Sequence, residues 1–252
     1  MDQASAPSGM QQVGQELDEF ESEEHDECDG ITSQNQGIQT DPMSKTRKLL
    51  YLFSGPQRED SIGHYIKQLG WNCENVDIEY VPSTDLLCSD TWDALLARIC
   101  ANEFDAGYAS PPCGTFSAAR QGAASDGGPR QLRGHTLPDL NGYAWLTECE
   151  KHEVKAGNVL ADRAAEAMKW FADRSLPWGV EQPARRDGKP SMFNLEKFQQ
   201  LSRYSDVSFT KFHQCRFGAK FSKATEILGN LDLSEWPKEC NHPRDLGNTM
   251  VR

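Results

Sequence analysis

From residue 45 onward, short apolar segments alternate with longer segments whose apolar residues recur at helical spacing. Such alternation is typical of a parallel β-sheet with helices packed on its faces. We therefore predict an α/β fold with a mostly parallel, doubly wound sheet. Strands are expected at residues 48–53, 75–78, 103–109, 178–183, 207–212 and 225–228. Helices are expected at residues 61–69, 91–100, 154–174 and 195–201.

The acidic charge of the chain is concentrated in its first 44 residues. These residues contain eleven Asp or Glu and no Lys or Arg, whereas the formal net charge of the whole chain is −12. A segment so acidic and so poor in large apolar residues cannot bury enough surface to fold. We predict a disordered acidic tail at residues 1–44 and one folded domain at residues 45–252. Because that domain is close to neutral, the overall acidity does not exclude a nucleic acid partner.

The cysteines and the apolar runs indicate the environment of the protein. The eight cysteines lack Cys-x-x-Cys spacing, and no apolar run is long enough for a signal peptide or a membrane span. We expect a soluble, intracellular protein without membrane contact. Cys240 and His242 supply two ligands where zinc requires four, so no metal site is predicted. Reduced, buried core thiols are expected at Cys73, Cys88, Cys100, Cys149 and Cys215.

The segment Ser110-Pro-Pro-Cys113 is the first candidate for a functional site. Its two prolines fix φ and remove two backbone donors, so the chain must turn where the preceding strand ends. Cys113 then lies at the carboxyl end of a strand, where open α/β sheets bind their ligands. We predict that Cys113 is a nucleophile.

Other polar residues follow strands that end at the same edge of the sheet. Phe53-Ser-Gly55 follows the first strand, Asp77 belongs to the second, and Glu181 ends a later one. A glycine turn followed by a carboxylate is typical of a nucleoside cleft, in which the carboxylate accepts ribose hydroxyls. The glycine pattern that binds pyrophosphate is absent, because Gly55 is followed by Pro-Gln-Arg. A nucleoside-like cofactor without pyrophosphate is therefore predicted.

Three motifs occur together and in order: Leu52-Phe-Ser-Gly55, Pro111-Pro-Cys113 with Phe116-Ser117 after it, and Val180-Glu-Gln-Pro183. In this combination, residues 47–230 resemble the cytosine-C5 DNA methyltransferase family. The resemblance implies a Rossmann-like domain that binds S-adenosylmethionine and methylates DNA. Few residues follow position 230, so we expect a short, divergent form, of a compact phage-like or mobile-element type. Such a form lacks a full target-recognition region or works with another chain.

The resemblance also implies roles for individual residues. Cys113 adds to C6 of a flipped cytosine while Glu181 hydrogen-bonds to N3, which makes C5 a nucleophile for the methyl group. Residues 120–135 form a flexible loop that closes over the DNA. Cofactor contacts are expected from Phe53, Ser54, Gly55, Asp77, Asp85 and Pro112. Nucleic acid contacts are expected from Ser117, Arg120, Arg130, Arg133 and Lys223.

Two alternatives remain open at this point. The same motifs fit an RNA cytosine-C5 methyltransferase, and they fit a methyltransferase-like protein that binds cofactor or nucleic acid without turnover. The segment after Glu181 is equally open, because its Arg185, Arg186 and Lys189 either contact phosphates or form a solvated loop.

Overall fold

The computed structural model describes residues 46–121, 129–220, 222–236 and 239–240. The predicted acidic tail, residues 1–44, lies outside these residues. Within them, strands and helices alternate as the sequence indicates. The strands are β1 (Lys48–Leu52), β2 (Asn72–Val76), β3 (Ala106–Ala109), β4 (Trp178–Pro183), β5 (Ser208–His213) and β6 (Ala224–Gly229). The helices are α1 (Ile62–Gln68), α2 (Ser89–Cys100), α3 (Glu148–Asp173) and α4 (Glu196–Leu201).

The strands form one mixed sheet in the order β2-β1-β3-β4-β6-β5. The first four of these run parallel, whereas β6 pairs antiparallel with both β4 and β5. The predicted α/β class is confirmed, but the sheet is mixed because β6 is antiparallel to its neighbours. The sequence did not predict the direction of β6, since apolar periodicity indicates whether a strand is buried but not which way it runs. The strand order reverses between β1 and β3, which is the place where open α/β sheets bind ligands.

The sheet is buried on both faces by different parts of the chain. Leu50 and Leu52 of β1 belong to the same buried cluster as Phe171 of α3, together with apolar residues of α2 and α4. Tyr51 points the other way, because side chains alternate along a strand, and its ring packs edge-on against Tyr108 of β3 at 5.4 Å. This packing fixes the carboxyl ends of β1, β3 and β4 relative to one another.

Helix α3 begins six residues before its predicted start. Thr147 caps the helix in a capping box: its hydroxyl accepts the Glu150 backbone N–H, and the Glu150 carboxylate accepts the Thr147 backbone N–H at 2.9 Å. The Thr-x-x-Glu spacing is visible in the sequence and is a sufficient signal for this start. The added turns carry Glu150 and Glu153, both of which pair with arginines near the candidate site.

None of the five cysteines predicted to be buried is fully buried. Cys88 and Cys149 are exposed, so the prediction is wrong for them, and the remaining three are half-buried: Cys73, Cys100 and Cys215. Cys88 precedes the first residue of α2, and Cys149 lies in the first turn of α3. Both are therefore at helix starts rather than on packed faces. Of the helices in the described ranges, none is long and apolar enough to cross a membrane.

Candidate functional site

The Pro-Pro-Cys turn is attached to the sheet by a side chain. The ladder between β3 and β4 ends at Ala109 and Val180, and the two prolines that follow have no N–H to extend it. The Gln182 side-chain amide instead donates to the Pro111 carbonyl at 2.7 Å, in a buried position. This contact places Cys113 at the carboxyl edge of the sheet, as the sequence predicts. Sequence reasoning missed the role of Gln182, although it lies directly after Glu181.

Arg120 holds the far side of the turn. Its Nε donates to the Gly114 carbonyl at 2.8 Å, and its guanidinium pairs with Glu153 of α3. Inside the turn, the Phe116 N–H donates to the Cys113 carbonyl at 2.9 Å. Arg120 was predicted to contact nucleic acid, and this stays a prediction: 19% of its side chain is exposed, and its contacts orient the turn that carries Cys113.

Arg133 is fully buried, so it cannot make the nucleic acid contact predicted for it. Burial lowers the pKa of its guanidinium to about 10, and the ring of Phe116 lies 3.8 Å from the guanidinium carbon. We correct its role to a structural one that ties the turn to α3. Its partners are Thr115 Oγ1 at 3.0 Å, the Leu140 carbonyl at 3.0 Å, Asn158 Oδ1 at 2.6 Å and the Val154 carbonyl at 2.9 Å.

The predicted flexible loop 120–135 is packed at its C-terminal end. Leu132 and Arg133 are buried, whereas residues 122–128 lie outside the described residues. Arg130 is exposed, pairs with Glu150, and stands 4.8 Å from the ring of Trp145. Of the three arginines, Arg130 is exposed, Arg120 is half-buried and only Arg133 is fully buried.

Glu181 lies between the turn and the start of β6. Its Oε2 accepts the Ser110 hydroxyl at 3.3 Å, and Ser110 Oγ is also 3.3 Å from the Tyr51 hydroxyl. Its Oε1 is 3.6 Å from the Lys223 ammonium. The Glu181 side chain is 22% exposed and that of Lys223 is 45% exposed, so both remain accessible to a ligand.

A cavity of about 250 Å³ opens beside the ends of β1 and β2. Its wall includes five of the six residues predicted to contact a cofactor, namely Phe53, Gly55, Asp77, Asp85 and Pro112. The sixth, Ser54, directs its hydroxyl to the Gly55 carbonyl at 3.3 Å. Further lining residues that the sequence did not single out are Ile78, Leu87 and Ser110.

The turn after β1 is shaped by two residues with positive φ. Phe53 has a φ of 57°, a left-handed conformation that is unfavourable for an aromatic residue, and Gly55 has a φ of 69°. The Gly55 N–H donates to Asp77 Oδ2 at 2.9 Å, while Asp77 Oδ1 accepts the Glu79 N–H at 2.8 Å. A Cβ on Gly55 would contact nothing within 4 Å, so the backbone faces open space on the cavity side.

A second cavity of about 580 Å³ opens on the Cys113 side of the turn. Cys113, Ser117 and Lys223 line it, as do Arg186 and Lys189. Among the residues that the structure describes, the wall of this cavity contains three cations, Arg186, Lys189 and Lys223, and no Asp or Glu, so it attracts anions. The sequence left the roles of Arg186 and Lys189 open, and the structure places both at this cavity.

Arg185, in contrast, turns away from the second cavity. Its guanidinium pairs with the fully buried Glu226 at 2.9 Å and lies 3.7 Å from the ring of Phe209. The three cations after Glu181 therefore have different positions. Arg185 pairs with a buried residue of the sheet, whereas Arg186 and Lys189 line the second cavity.

Burial raises the pKa of the Cys113 thiol, because the thiolate would lose its hydration. The nearby Lys223 ammonium opposes this shift, and the Glu181 carboxylate adds to it. The raised pKa favours the protonated thiol at neutral pH. A ligand that covers Glu181 or brings a proton acceptor would favour the thiolate, which is the nucleophilic form.

Comparison with known protein-family models and with curated proteins finds no match to this chain. The positions of Cys113, Glu181 and Lys223 relative to the two cavities are the basis for the functional proposal.

Replacing Arg133 and Arg130 separately distinguishes a structural from a surface arginine. Arg133→Met leaves four acceptors without their donor, three of them buried, so we expect the free energy of unfolding to fall by about 3 kcal/mol or more. Arg130→Met removes an exposed ion pair and should lower the free energy of unfolding far less. Urea unfolding followed by tryptophan fluorescence measures both values. Equal losses for the two variants would contradict the structural role of Arg133.

Alkylation of Cys113 by iodoacetamide should become faster as the pH rises, with a midpoint above that of an ordinary thiol. The exposed Cys88 is an internal reference, since hydrogen bonds from Thr91 lower the pKa of its thiol and it should react at lower pH. Lys223→Gln removes the cation that stabilises the Cys113 thiolate, so its midpoint should move to still higher pH. Peptide mass spectrometry across a pH series measures both cysteines. A midpoint unchanged by Lys223→Gln would contradict this electrostatic assignment.

Proposed function

We propose that this protein transfers a methyl group from S-adenosylmethionine to C5 of cytosine in DNA. The observation that carries the proposal is that two cavities meet at one turn. Ser110 and Pro112 line the first cavity, and Cys113 lines the second. A cofactor and a target base bound in these cavities would lie on either side of the Pro-Pro-Cys turn.

The first cavity suits a nucleoside with a charged sulfonium. Ile78 and Leu87 are large apolar side chains left 54% and 43% exposed at its wall, a suitable surface for a flat base. Asp77 and Asp85 add carboxylate oxygens for ribose hydroxyls and for the positive end of the ligand. We assign the cofactor to these residues and to the Phe53 to Gly55 turn.

The residues around Cys113 support a covalent mechanism. The Cys113 thiol gives up its proton as Sγ adds to C6 of the cytosine, and Glu181 accepts that proton and passes it to N3, so that C5 becomes the nucleophile. When bound, S-adenosylmethionine would supply an electrophilic methyl group for C5. Loss of the C5 proton to solvent water would then expel Cys113 Sγ, return the N3 proton through Glu181 to the sulfur and restore the aromatic ring. Lys223 Nζ lies 3.6 Å from Glu181 Oε1, so its ammonium is next to the carboxylate that faces the base.

The second cavity supports a nucleic acid substrate. Its three cations, Arg186, Lys189 and Lys223, are placed to contact phosphates next to the target, and a buried base must be flipped to reach Cys113. A ribonucleotide presents the same ring and the same phosphates, so RNA stays the alternative substrate.

Covalent trapping tests the proposal directly. A duplex that carries 5-fluorocytosine blocks the last step, because fluorine cannot leave as the proton does. We expect the wild-type protein with S-adenosylmethionine to form a complex that survives denaturing electrophoresis, and Cys113→Ser to form none. Cys88→Ser is the matched control and should trap like wild type. Glu181→Gln should trap more slowly by roughly 10²- to 10⁴-fold, because it cannot share a proton with N3.

The same assay separates the competing functions. Trapping on a fluorinated RNA but not on the duplex would establish the RNA enzyme. Calorimetric binding of S-adenosylmethionine without trapping on either substrate would establish a cofactor-binding protein without turnover and would overturn the proposal.

Salt dependence tests the cationic cavity without requiring turnover. Arg186→Gln combined with Lys189→Gln should weaken DNA binding and lower the slope of log K against log salt by about 2, one for each lost phosphate contact. Lys169→Gln combined with Lys197→Gln changes the net charge equally, but these lysines face Asp173 and Asp162 and should leave the slope unchanged. Fluorescence anisotropy with a labelled duplex measures the slope. Equal effects from both pairs would show non-specific attraction and count against the cavity.

A further inference from the structure

Trp145 is a large aromatic residue that the fold leaves in solvent. Its exposed fraction is 56%, although tryptophan is highly buried on average in folded proteins. The adjacent Leu146 is buried in a small cluster with Leu132 and Val154, and Tyr143 packs against that cluster. The Trp145 indole lies outside this cluster, so packing alone does not explain a tryptophan at this position.

The indole is held in a stack with two neighbours. The Tyr143 ring is within 17° of parallel to it, and the ring centroids are 4.9 Å apart. The guanidinium carbon of Arg130 lies 4.8 Å from the centroid of the indole. We call these three residues the Trp145 stack. Tyr143 is itself fixed, because its N–H donates to the Leu132 carbonyl at 3.1 Å and its hydroxyl accepts the Gln131 side-chain amide at 3.2 Å.

Arg130 brings positive charge to the stack. Its Nε donates to Glu150 Oε1 at 2.5 Å, and its Nη2 donates to the other oxygen of the same carboxylate. Because the guanidinium is planar and uses this edge for Glu150, its Nη1 points away from the carboxylate. About half of the Arg130 side chain is exposed. A phosphate next to a base on the indole could therefore be contacted by Nη1.

One turn of α3 connects the stack with the turn that carries Cys113. Glu150 pairs with Arg130 of the stack. Glu153 follows about 4.5 Å further along the helix axis and pairs with Arg120, which holds the Cys113 turn. The stack is thus anchored on the same part of α3 as the candidate nucleophile.

The segment that carries the stack also lies behind the wall of the second cavity. Phe116 lines that cavity, and the guanidinium carbon of Arg133 lies 3.8 Å from its ring. Leu132, next to Arg133, belongs to the cluster on which Tyr143 packs. The stack and the second cavity are therefore parts of one continuous surface region.

We propose that Trp145 stacks on an unpaired base of the nucleic acid, a few nucleotides from the target cytosine, while Arg130 contacts the neighbouring phosphate. This inference rests on the proposed function, because the second cavity defines where the target lies. An exposed aromatic ring beside a cation holds unpaired bases of any sequence, since every base has a face that stacks. The substrate strand is then single-stranded or opened around the target, and not only at the flipped base.

Binding to single-stranded DNA tests the stack without requiring turnover. By fluorescence anisotropy with a labelled strand, Trp145→Ala should lower the affinity roughly 5- to 150-fold, the effect of losing one base–aromatic stack. Trp145→Phe keeps a ring and should lose much less. Trp71→Ala is the matched control and should bind as wild type does. Trp71 also lies near an arginine, with Arg47 at 5.3 Å, but it precedes β2 at the opposite edge of the sheet from Cys113.

Removing single bases from the strand identifies the stacked position. Among strands with one abasic nucleotide at successive positions beside a 5-fluorocytosine, wild type should bind one strand less tightly. Trp145→Ala should be insensitive to the loss of that base, because the contact is already absent. Urea unfolding should be the same for Trp145→Ala and wild type, since the indole lies outside the buried cluster.

Three outcomes would overturn the stack. They are a Trp145→Ala protein that binds single strands as tightly as wild type, abasic and Trp145→Ala losses that simply add, and a wild type that binds no single strand of DNA or RNA. Trapping at Cys113 is scored separately. A protein that passes the binding tests but does not trap would keep the stack and lose the methyl transfer.

Discussion

The hydrogen bond from the Gln182 amide to the Pro111 carbonyl is the contact on which the candidate site depends. A parallel ladder needs an N–H at every second residue, and the Pro-Pro pair begins two residues after β3 ends. The Gln182 side chain attaches the turn to β4, whereas Arg120 and Arg133 attach its far side to α3. Because the donor lies beside Glu181, the same strand both fixes the cysteine and presents the carboxylate.

The sequence predicted the elements whose signals are local. Strand ends, proline chemistry and the glycine turn placed Cys113, Glu181, Gly55 and Asp77 at one edge of the sheet. Local sequence signals did not predict which arginines are buried. Arg130 and Arg133 have similar sequence contexts, yet Arg130 is exposed and Arg133 is fully buried. Their difference depends on how α3 packs, and therefore on long-range contacts. The start of α3 was predictable, because the Thr-x-x-Glu spacing of the capping box at Thr147 can be recognised from the sequence alone.

The direction of β6 and the placement of its neighbours required the structure. Antiparallel pairing with β4 brings Lys223, at the entry to β6, close to the strand end that carries Glu181. Had β6 run parallel, its entry would lie at the opposite edge of the sheet. The pairing therefore adds Lys223 to the cations that line the cavity near Cys113. The cavity near β1 and β2 is lined by carboxylates instead.

The single turn shared by the two cavities has a thermodynamic consequence. A ligand in the first cavity that shifted Pro112 would also displace Cys113 in the second, because the two residues are adjacent in the chain and proline fixes φ. If both cavities bind ligands, the two binding equilibria would then be coupled. Such coupling is reciprocal, so each ligand would change the affinity of the other by the same factor.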